Sequence, residues 1–305
     1  MKDVKGKTAF ITGGASGIGL GIAQAFAAAG MNVVITDVEE TALAEAAATV
    51  AAESPKGADA VFTQKLDVTD RKNYFDAAQA AEARFGNVHV VCLNAGVSWR
   101  GPLEDVSYDD WDWVIGVNLW GPINGVKTFA KRIRAHGEGG HFVITASAAG
   151  LVAGVGNGVY NTSKFGAVGL GETLRAEMAP YGIGVSLLCP GAVKTNINNA
   201  RRNRPEKFAD AGVYMTSEQE ELMLKSFEHG TEPRHLGDMV LKGIVEDSPY
   251  ILPHREFIPA VKKRFETILA SFTDEPEDPQ RVADNDYRRQ SFLKYWDDGT
   301  ERPVH

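Results

Sequence analysis

Cysteine is nearly absent. Cys92 and Cys189 are the only two in 305 residues, far too few for a disulfide framework. Both are expected near the ends of buried strands, as small apolar side chains. Basic residues are outnumbered, 32 Lys and Arg against 40 Asp and Glu, giving a formal net charge of −8. No general basic field therefore invites nucleic acid or an anionic membrane. The opening "MKDVKGK" lacks an apolar core, which argues against a secretory signal and for a cytoplasmic chain. The uncharged stretch from Phe142 to Ser163 is long enough to span a bilayer, but its glycines and its Ser, Thr and Asn interrupt the hydrophobicity. It reads as strand, loop and helix start. The "NTS" at Asn161 matches a glycosylation sequon that a cytoplasmic chain never uses. The seven histidines show no His-x-x-x-His or Cys/His spacing, so no metal site is expected.

What is present is an alternation of short β-branched or apolar runs with longer helical patterns. Strands are expected at Thr8–Thr12, Asn32–Thr36, Ala60–Lys65, Val88–Leu93, His141–Ala146, Gly184–Leu188 and Tyr250–Leu252. Helices are expected at Ile18–Ala29, Glu40–Glu53, Arg71–Phe85, Tyr108–His136, Val159–Tyr181 and Pro233–Glu246. That rhythm predicts an α/β fold: one doubly wound domain over 1–272, a parallel sheet of about seven strands with helices on both faces. Residues 194–232 break the rhythm as a polar insertion beyond the sixth strand, where doubly wound folds place substrate. Residues 273–305 form a carboxyl-terminal extension.

"TGGASGIG" follows the first strand and opens a helix. Gly13, Gly17 and Gly19 permit a tight turn and a close approach by a pyrophosphate, which the free N–H groups of the helix start then face. A glycine turn alone is weak evidence, and its spacing differs from the common G-x-G-x-x-G. Asp37, 18 residues past Gly19 at the end of the second strand, strengthens it. A carboxylate there accepts from both adenosine ribose hydroxyls and repels a 2′-phosphate, which selects NAD over NADP. A plain helix-capping role for Asp37 is the competing reading.

"YNTSK" sets Tyr160 and Lys164 at i and i+4 on one helical face. Ser147 follows the strand "HFVITA", and Asn118 sits in "VIGVNLWG". With the glycine loop, Asp37, "LDV" at 66–68, "NAG" at 94–96 and "PG" at 190–191, the chain resembles the short-chain dehydrogenase/reductase family from residue 5 to about 253. The resemblance implies a Rossmann-type fold, NAD as cofactor, and interconversion of a secondary alcohol and a ketone by hydride transfer. Tyr160 would be the general base. A free tyrosine pKa near ~10 is too high for this work. A Lys164 ammonium about 4 Å away would supply on the order of 4 kcal/mol at an effective dielectric of ~20. Lys164 would also hold the nicotinamide ribose, Ser147 the substrate oxygen, and Asn118 a water linking Lys164 to solvent. Ser16 and Ile18 would join the glycine loop around the cofactor. Asp67 and Val68 would meet the adenine, Asn94, Ala95 and Gly96 the ribose, and Pro190, Gly191, Val193 and Thr195 the nicotinamide end. Asn94-Ala95-Gly96 could equally be a turn that stabilises its strand.

Trp99, Phe208, Tyr214 and Met215 are the expected substrate contacts, large apolar groups suited to a bulky aromatic alcohol. They could instead anchor their own loops. "YDDWDWVIGVNLWGPINGV", "CPGAVKTNI" and "RPEKFADAG" look like bacterial Cα-dehydrogenases, which oxidise the benzylic alcohol of lignin-derived aryl ethers. Hydroxysteroid dehydrogenase is the alternative substrate class. A non-catalytic dinucleotide sensor would be expected to lack Tyr or Lys, and a nucleotide-sugar epimerase to have a different glycine loop. The family commonly forms homodimers or homotetramers. Residues 255–272 place Phe257, Val261, Phe265, Ile268, Leu269 and Phe272 on one helical stripe, expected to pack on the domain. Tyr287, Phe292, Leu293, Tyr295 and Trp296 then predict an arm that docks on the same or a neighbouring subunit, with a solvated tail as the competing reading.

Overall fold

The computed structural model describes residues 1–293 except Val213. Seven strands lie side by side in the order β3-β2-β1-β4-β5-β6-β7. They are β1 (Thr8–Thr12), β2 (Asn32–Asp37), β3 (Val61–Lys65), β4 (Val90–Leu93), β5 (Gly140–Thr145), β6 (Ile183–Leu188) and β7 (Tyr250–Ile251). Every neighbouring pair is parallel. Helices α1 (Gly17–Ala28), α2 (Glu40–Glu53), α3 (Arg71–Phe85), α4 (Tyr108–Ile115), α5 (Gly121–His136) and α6 (Gly158–Met178) fall between the first six strands. The insertion holds α7 (Ser217–Glu228), and α8 (Pro233–Glu246) leads into β7. Beyond lie α9 (Ile258–Leu269), α10 (Pro279–Asp284) and α11 (Asp286–Leu293).

Because strand side chains alternate in direction, adjacent residues feed two cores. Phe10, Val34, Val91 and Phe142 pack with Tyr74 and Phe129 in one. Ile11, Val33, Val90 and Val143 pack with Ile22, Phe26 and Val240 in the other. Both faces are thereby sealed, which is why these strands read as apolar runs without polar alternation. The open end of the sheet, above the strand carboxyl ends, is left for the site.

The single long helix expected over Tyr108–His136 is interrupted. Gly116–Trp120 forms a π-turn between α4 and α5. Pro122 supplies the cause: it has no N–H for the Asn118 carbonyl, so the α-helical ladder cannot continue through it. The stripe expected to bury α9 is also corrected. No residue of α9 is buried, and Phe265, Ile268, Leu269 and Phe272 are exposed. Helix α9 touches the domain through Arg264, whose guanidinium lies 5.1 Å from the Phe165 ring centroid. Tyr287 is exposed, while Tyr295 and Trp296 lie outside the described residues.

The insertion starts and ends at one point. Val193 and Thr231 form an isolated parallel bridge, with the Thr231 amide donating to the Ala192 carbonyl at 3.0 Å. Between these feet, Arg204 and the fully buried Asp110 of α4 form an ion pair. A third apolar cluster of Trp99, Trp113, Val114, Val159 and Ala200 joins the insertion to α4 and α6, with Phe208 and Tyr214 against it. No helix among the described residues is long and apolar enough to cross a membrane.

Candidate active site

A cavity of about 990 Å³ runs across the strand carboxyl ends, from β3 to the insertion. Its first end is the glycine loop. Gly13 and Gly17 have φ of 62° and 51°, a left-handed backbone that only glycine adopts at little cost. A Cβ at Gly13 would stand 2.8 Å from the Ala95 Cα, so the loop and "NAG" meet backbone to backbone. Ser16, Gly17 and Ile18 complete the wall here, whereas Gly19 lies behind it. There its missing side chain leaves room for the Gly13 carbonyl, 2.1 Å from where a Cβ would be.

Asp37 stands beside this loop. Its Oδ2 accepts from the Ala15 amide at 3.2 Å, and its Oδ1 from the Val38 and Glu39 amides at 2.8 and 3.2 Å. Burial pushes its carboxyl above the usual range, and these amides act against that. Two cations share this end of the cavity, but each has a glutamate: Lys65 pairs with Glu40 and Arg202 with Glu39. Asn203 also donates to Glu39, at 2.8 Å. The insertion therefore reaches the end of β2, a contact with no local signal in the chain.

Asp67, Val68, Asn94, Ala95 and Gly96 line the cavity, as do Pro190, Gly191, Val193 and Thr195. Asn94 is spent internally. Its Nδ2 donates to the Thr12 and Gly13 carbonyls, both at 3.1 Å, and its Oδ1 accepts from the Thr145 hydroxyl at 3.1 Å. It stitches β1, β4 and β5 together at the site.

Ser147, Tyr160 and Lys164 converge on the middle of the cavity. Ser147 leaves β5, and its hydroxyl accepts from the Ala149 amide at 3.1 Å. Burial pushes the Tyr160 phenol up, while the Ser147 hydroxyl and the Arg100 guanidinium pull it down. The Lys164 ammonium donates to the Thr145 carbonyl at 2.9 Å and lies 5.6 Å from the Tyr160 ring centroid. Burial lowers it to about 8. Asn118 is buried in the π-turn and lies outside the cavity wall. Its Oδ1 accepts from the Val97 amide at 2.8 Å, and its Nδ2 donates to the Val97 carbonyl and to Ser163. A Cβ on Gly96 would lie 3.4 Å from the Asn118 Oδ1 and 3.6 Å from the Lys164 Nζ, so glycine keeps the space between them open.

Of the expected substrate contacts, Phe208 faces the cavity and Trp99, Tyr214 and Met215 are absent from its wall. Trp99 is 1% exposed and turned into the third cluster, with the Tyr214 ring 5.1 Å away. It anchors its loop because an indole gains more from complete burial there than from a place on the wall. The wall instead carries Arg100 and Asn161, which sequence reasoning missed. Asn161 lies one residue past Tyr160, and its Nδ2 donates to the Gly154 carbonyl at 2.8 Å. The described residues hold no group of three or more His, Cys, Asp or Glu placed to bind a metal.

The family model "short chain dehydrogenase" matches residues 7–206. A C alpha-dehydrogenase of Sphingobium sp. strain SYK-6 is 39% identical over 282 residues, covering 92% of this chain and 91% of that protein. A short chain dehydrogenase/reductase of Burkholderia phymatum, solved in complex with NAD, superposes with a TM-score of 0.84 at 36% identity. That match covers 92% of this chain and 99% of the other. The apo form of LigO from Sphingobium sp. strain SYK-6 gives 0.76 at 38% identity, covering 95% and 97%. With a family model matched over residues 7–206 and a relative 39% identical over 92% of this chain, the chain belongs to the short chain dehydrogenases.

Proposed function

We propose that the protein is an NAD-dependent dehydrogenase that interconverts a secondary benzylic alcohol and its ketone. The observation that carries this reading is one continuous cavity with the glycine loop and Asp37 at one end and Ser147, Tyr160 and Lys164 in its middle. The residues fit the dinucleotide. The left-handed glycines bring backbone amides to a pyrophosphate, and Asp37 is an acceptor placed for ribose hydroxyls. When bound, NAD supplies the hydride acceptor.

The chain's own residues supply the rest. The Ser147 hydroxyl would donate to the alcohol oxygen and hold it against Tyr160. The Tyr160 phenolate would take the hydroxyl proton. Burial raises this phenol, and the Ser147 hydroxyl and the Arg100 guanidinium act against it; the Lys164 ammonium, 5.6 Å from its ring centroid, would favour the phenolate as well. Asn118 would position the Val97 backbone and the open space beside Lys164, through which the proton leaves. Apolar wall residues Val97, Trp113, Val152, Phe208, Phe227 and Phe257 suit an aromatic substrate. The similarity to a C alpha-dehydrogenase over nine-tenths of both chains favours an aryl ether alcohol over a steroid. As in the family resemblance, the protein would act as a cytoplasmic homodimer or homotetramer, which sizing at micromolar concentration tests.

The deciding experiment is oxidation of matched aryl and steroid secondary alcohols with NAD, followed at the NADH absorbance. Turnover of the aryl series is the expected result. Turnover confined to steroids, or none with any alcohol or ketone, would overturn the reading.

A further inference from the structure

The cavity is electrically lopsided. Among the described residues, the acids on its wall are Asp37, Glu39 and Asp67, all at the ends of β2 and β3. Beyond Lys164, toward the insertion, the charged wall residues among those described are Arg100, Arg204 and Lys207, with no acid. Arg204 is accounted for, since Asp110 neutralises it from behind. Lys207 is exposed, with its ammonium 4.8 Å from the Phe208 ring centroid. Arg100 remains. Its Nε is buried and has no hydrogen-bond partner, and it forms no ion pair among the described residues. A guanidinium seldom leaves its fork unpaired in a half-buried place, because desolvation costs it free energy that only an anion or an array of acceptors returns.

Its position is built. The next residue, Gly101, bridges Asn157, and the Gly101 amide donates to the Gly156 carbonyl at 3.0 Å. The Arg100 backbone is thus tied to the loop that enters α6 just ahead of Tyr160. Burial lowers the guanidinium's proton affinity, and the Tyr160 and Tyr214 phenols partly restore it, so the cation is close to the base. In a chain of net charge −8, a cation-only region at one end of a site has no origin in general composition.

We propose that Arg100 receives a carboxylate carried by the alcohol substrate, so that the natural substrate is an anionic aryl alcohol. This rests on the alcohol dehydrogenase reading above and narrows it. A planar carboxylate matches the guanidinium fork, and the pair would fix the ring's distance from Tyr160. Arg100 is then the specificity-determining residue for the acid group.

The test compares α-methylbenzyl alcohol bearing a ring carboxylate, at the para or the meta position, with the same alcohol bearing a methyl group. Steady-state kinetics are measured with saturating NAD on the full chain, its Arg100→Gln variant and its Arg100→Lys variant. We expect the native protein to favour a carboxylate isomer by about tenfold or more in kcat/KM, expressed in KM, as charged hydrogen bonds typically provide. Arg100→Gln should erase that preference, lowering kcat/KM about tenfold more on the carboxylate isomer than on the methyl compound, and Arg100→Lys should restore part of it. Equal KM for charged and neutral alcohols would overturn the proposal and leave the dehydrogenase reading intact. An equal loss on both substrates in Arg100→Gln would also overturn it, and would make Arg100 a support of Tyr160. Binding of the corresponding acetylbenzoates and methylacetophenone to the protein with NADH, read by cofactor fluorescence, gives the same comparison without turnover. If neither alcohol is oxidised and neither ketone binds, the aryl alcohol reading and this inference fall together.

Discussion

The Asp37 carboxylate accepts a hydrogen bond from the amide of Ala15, inside the glycine loop, at 3.2 Å. The group proposed to choose the cofactor thus also holds the glycine loop proposed to bind its pyrophosphate. Its charge is not cancelled by the nearby cations, since Lys65 and Arg202 are each paired with a glutamate. NAD should therefore be preferred over NADP by well over tenfold. Asp37→Ala should gain NADP activity relative to NAD, yet lose melting temperature, because three amides lose their acceptor. Comparable kcat/KM with both cofactors in the native protein would refute the first part.

Tyr160→Phe should abolish nearly all turnover and leave NAD binding intact, since only the phenol oxygen is removed. Lys164→Ala should harm both. Residual activity above a few per cent in Tyr160→Phe would show that another group takes the proton.

Lys164 offers a pH test. Burial lowers its ammonium to about 8 from the ordinary 10.5. A depressed lysine binds its proton more weakly folded than unfolded, so the unfolded chain holds the extra proton between those values. Stability from this group therefore rises with pH from about 8 to 10.5 and is lowest below 8. Relative to Lys164→Met, the native protein should gain on the order of 3 kcal/mol across that window. Parallel stability curves for the two proteins would contradict the burial argument.

The Asp110–Arg204 pair should govern the insertion. Asp110 also accepts from the Ser107 and Gly212 amides, and Arg204 donates to the Phe208 and Asp210 carbonyls. Arg204→Met leaves a fully buried carboxylate unpaired, costing about 3–5 kcal/mol. A large rise in KM and faster proteolysis within 194–232 should result. Unchanged KM would mean that the pair does not shape the substrate end.

Cys92 and Cys189 lie on or just past strands separated by β5. Two strand spacings are about 9.6 Å, beyond the ~7 Å that a disulfide bridges. Burial pushes the Cys189 thiol up to about 12, and Cys92 up as well. Two thiols should react after denaturation without reductant, and almost none before.

The sheet was legible because a parallel strand buried on both faces has to be an apolar run, and the site's centre because Ser147, Tyr160 and Lys164 together carry a family resemblance that no single spacing among them would. Arg100 was not legible. Nothing local to "VSWRG" says that its neighbour Trp99 turns inward, which is what leaves Arg100 on the wall. Arg202 was hidden for a related reason: its contact with Glu39 spans 163 residues of chain. Helix α9 shows a different limit. Its periodicity reports an apolar face but carries no information on what lies opposite. The π-turn was available in principle, since Pro122 is visible, but the apolar pattern on both sides of it reads straight through.

The bridge between Val193 and Thr231 makes residues 194–230 a cassette closed at its base. Closing such a loop costs an entropy that grows only with the logarithm of its length, roughly 0.6 kcal/mol for each doubling. Both feet are set by the frame around β6 and α8 rather than by what lies between them. Segments of other lengths could be exchanged there at small loop-closure cost, provided that they keep a cation for the buried Asp110 and apolar cover for the third cluster. If the insertion shapes the substrate end as proposed, an exchange of residues 194–230 between relatives should alter substrate range while the contribution of Arg100, which lies outside the cassette, stays in place.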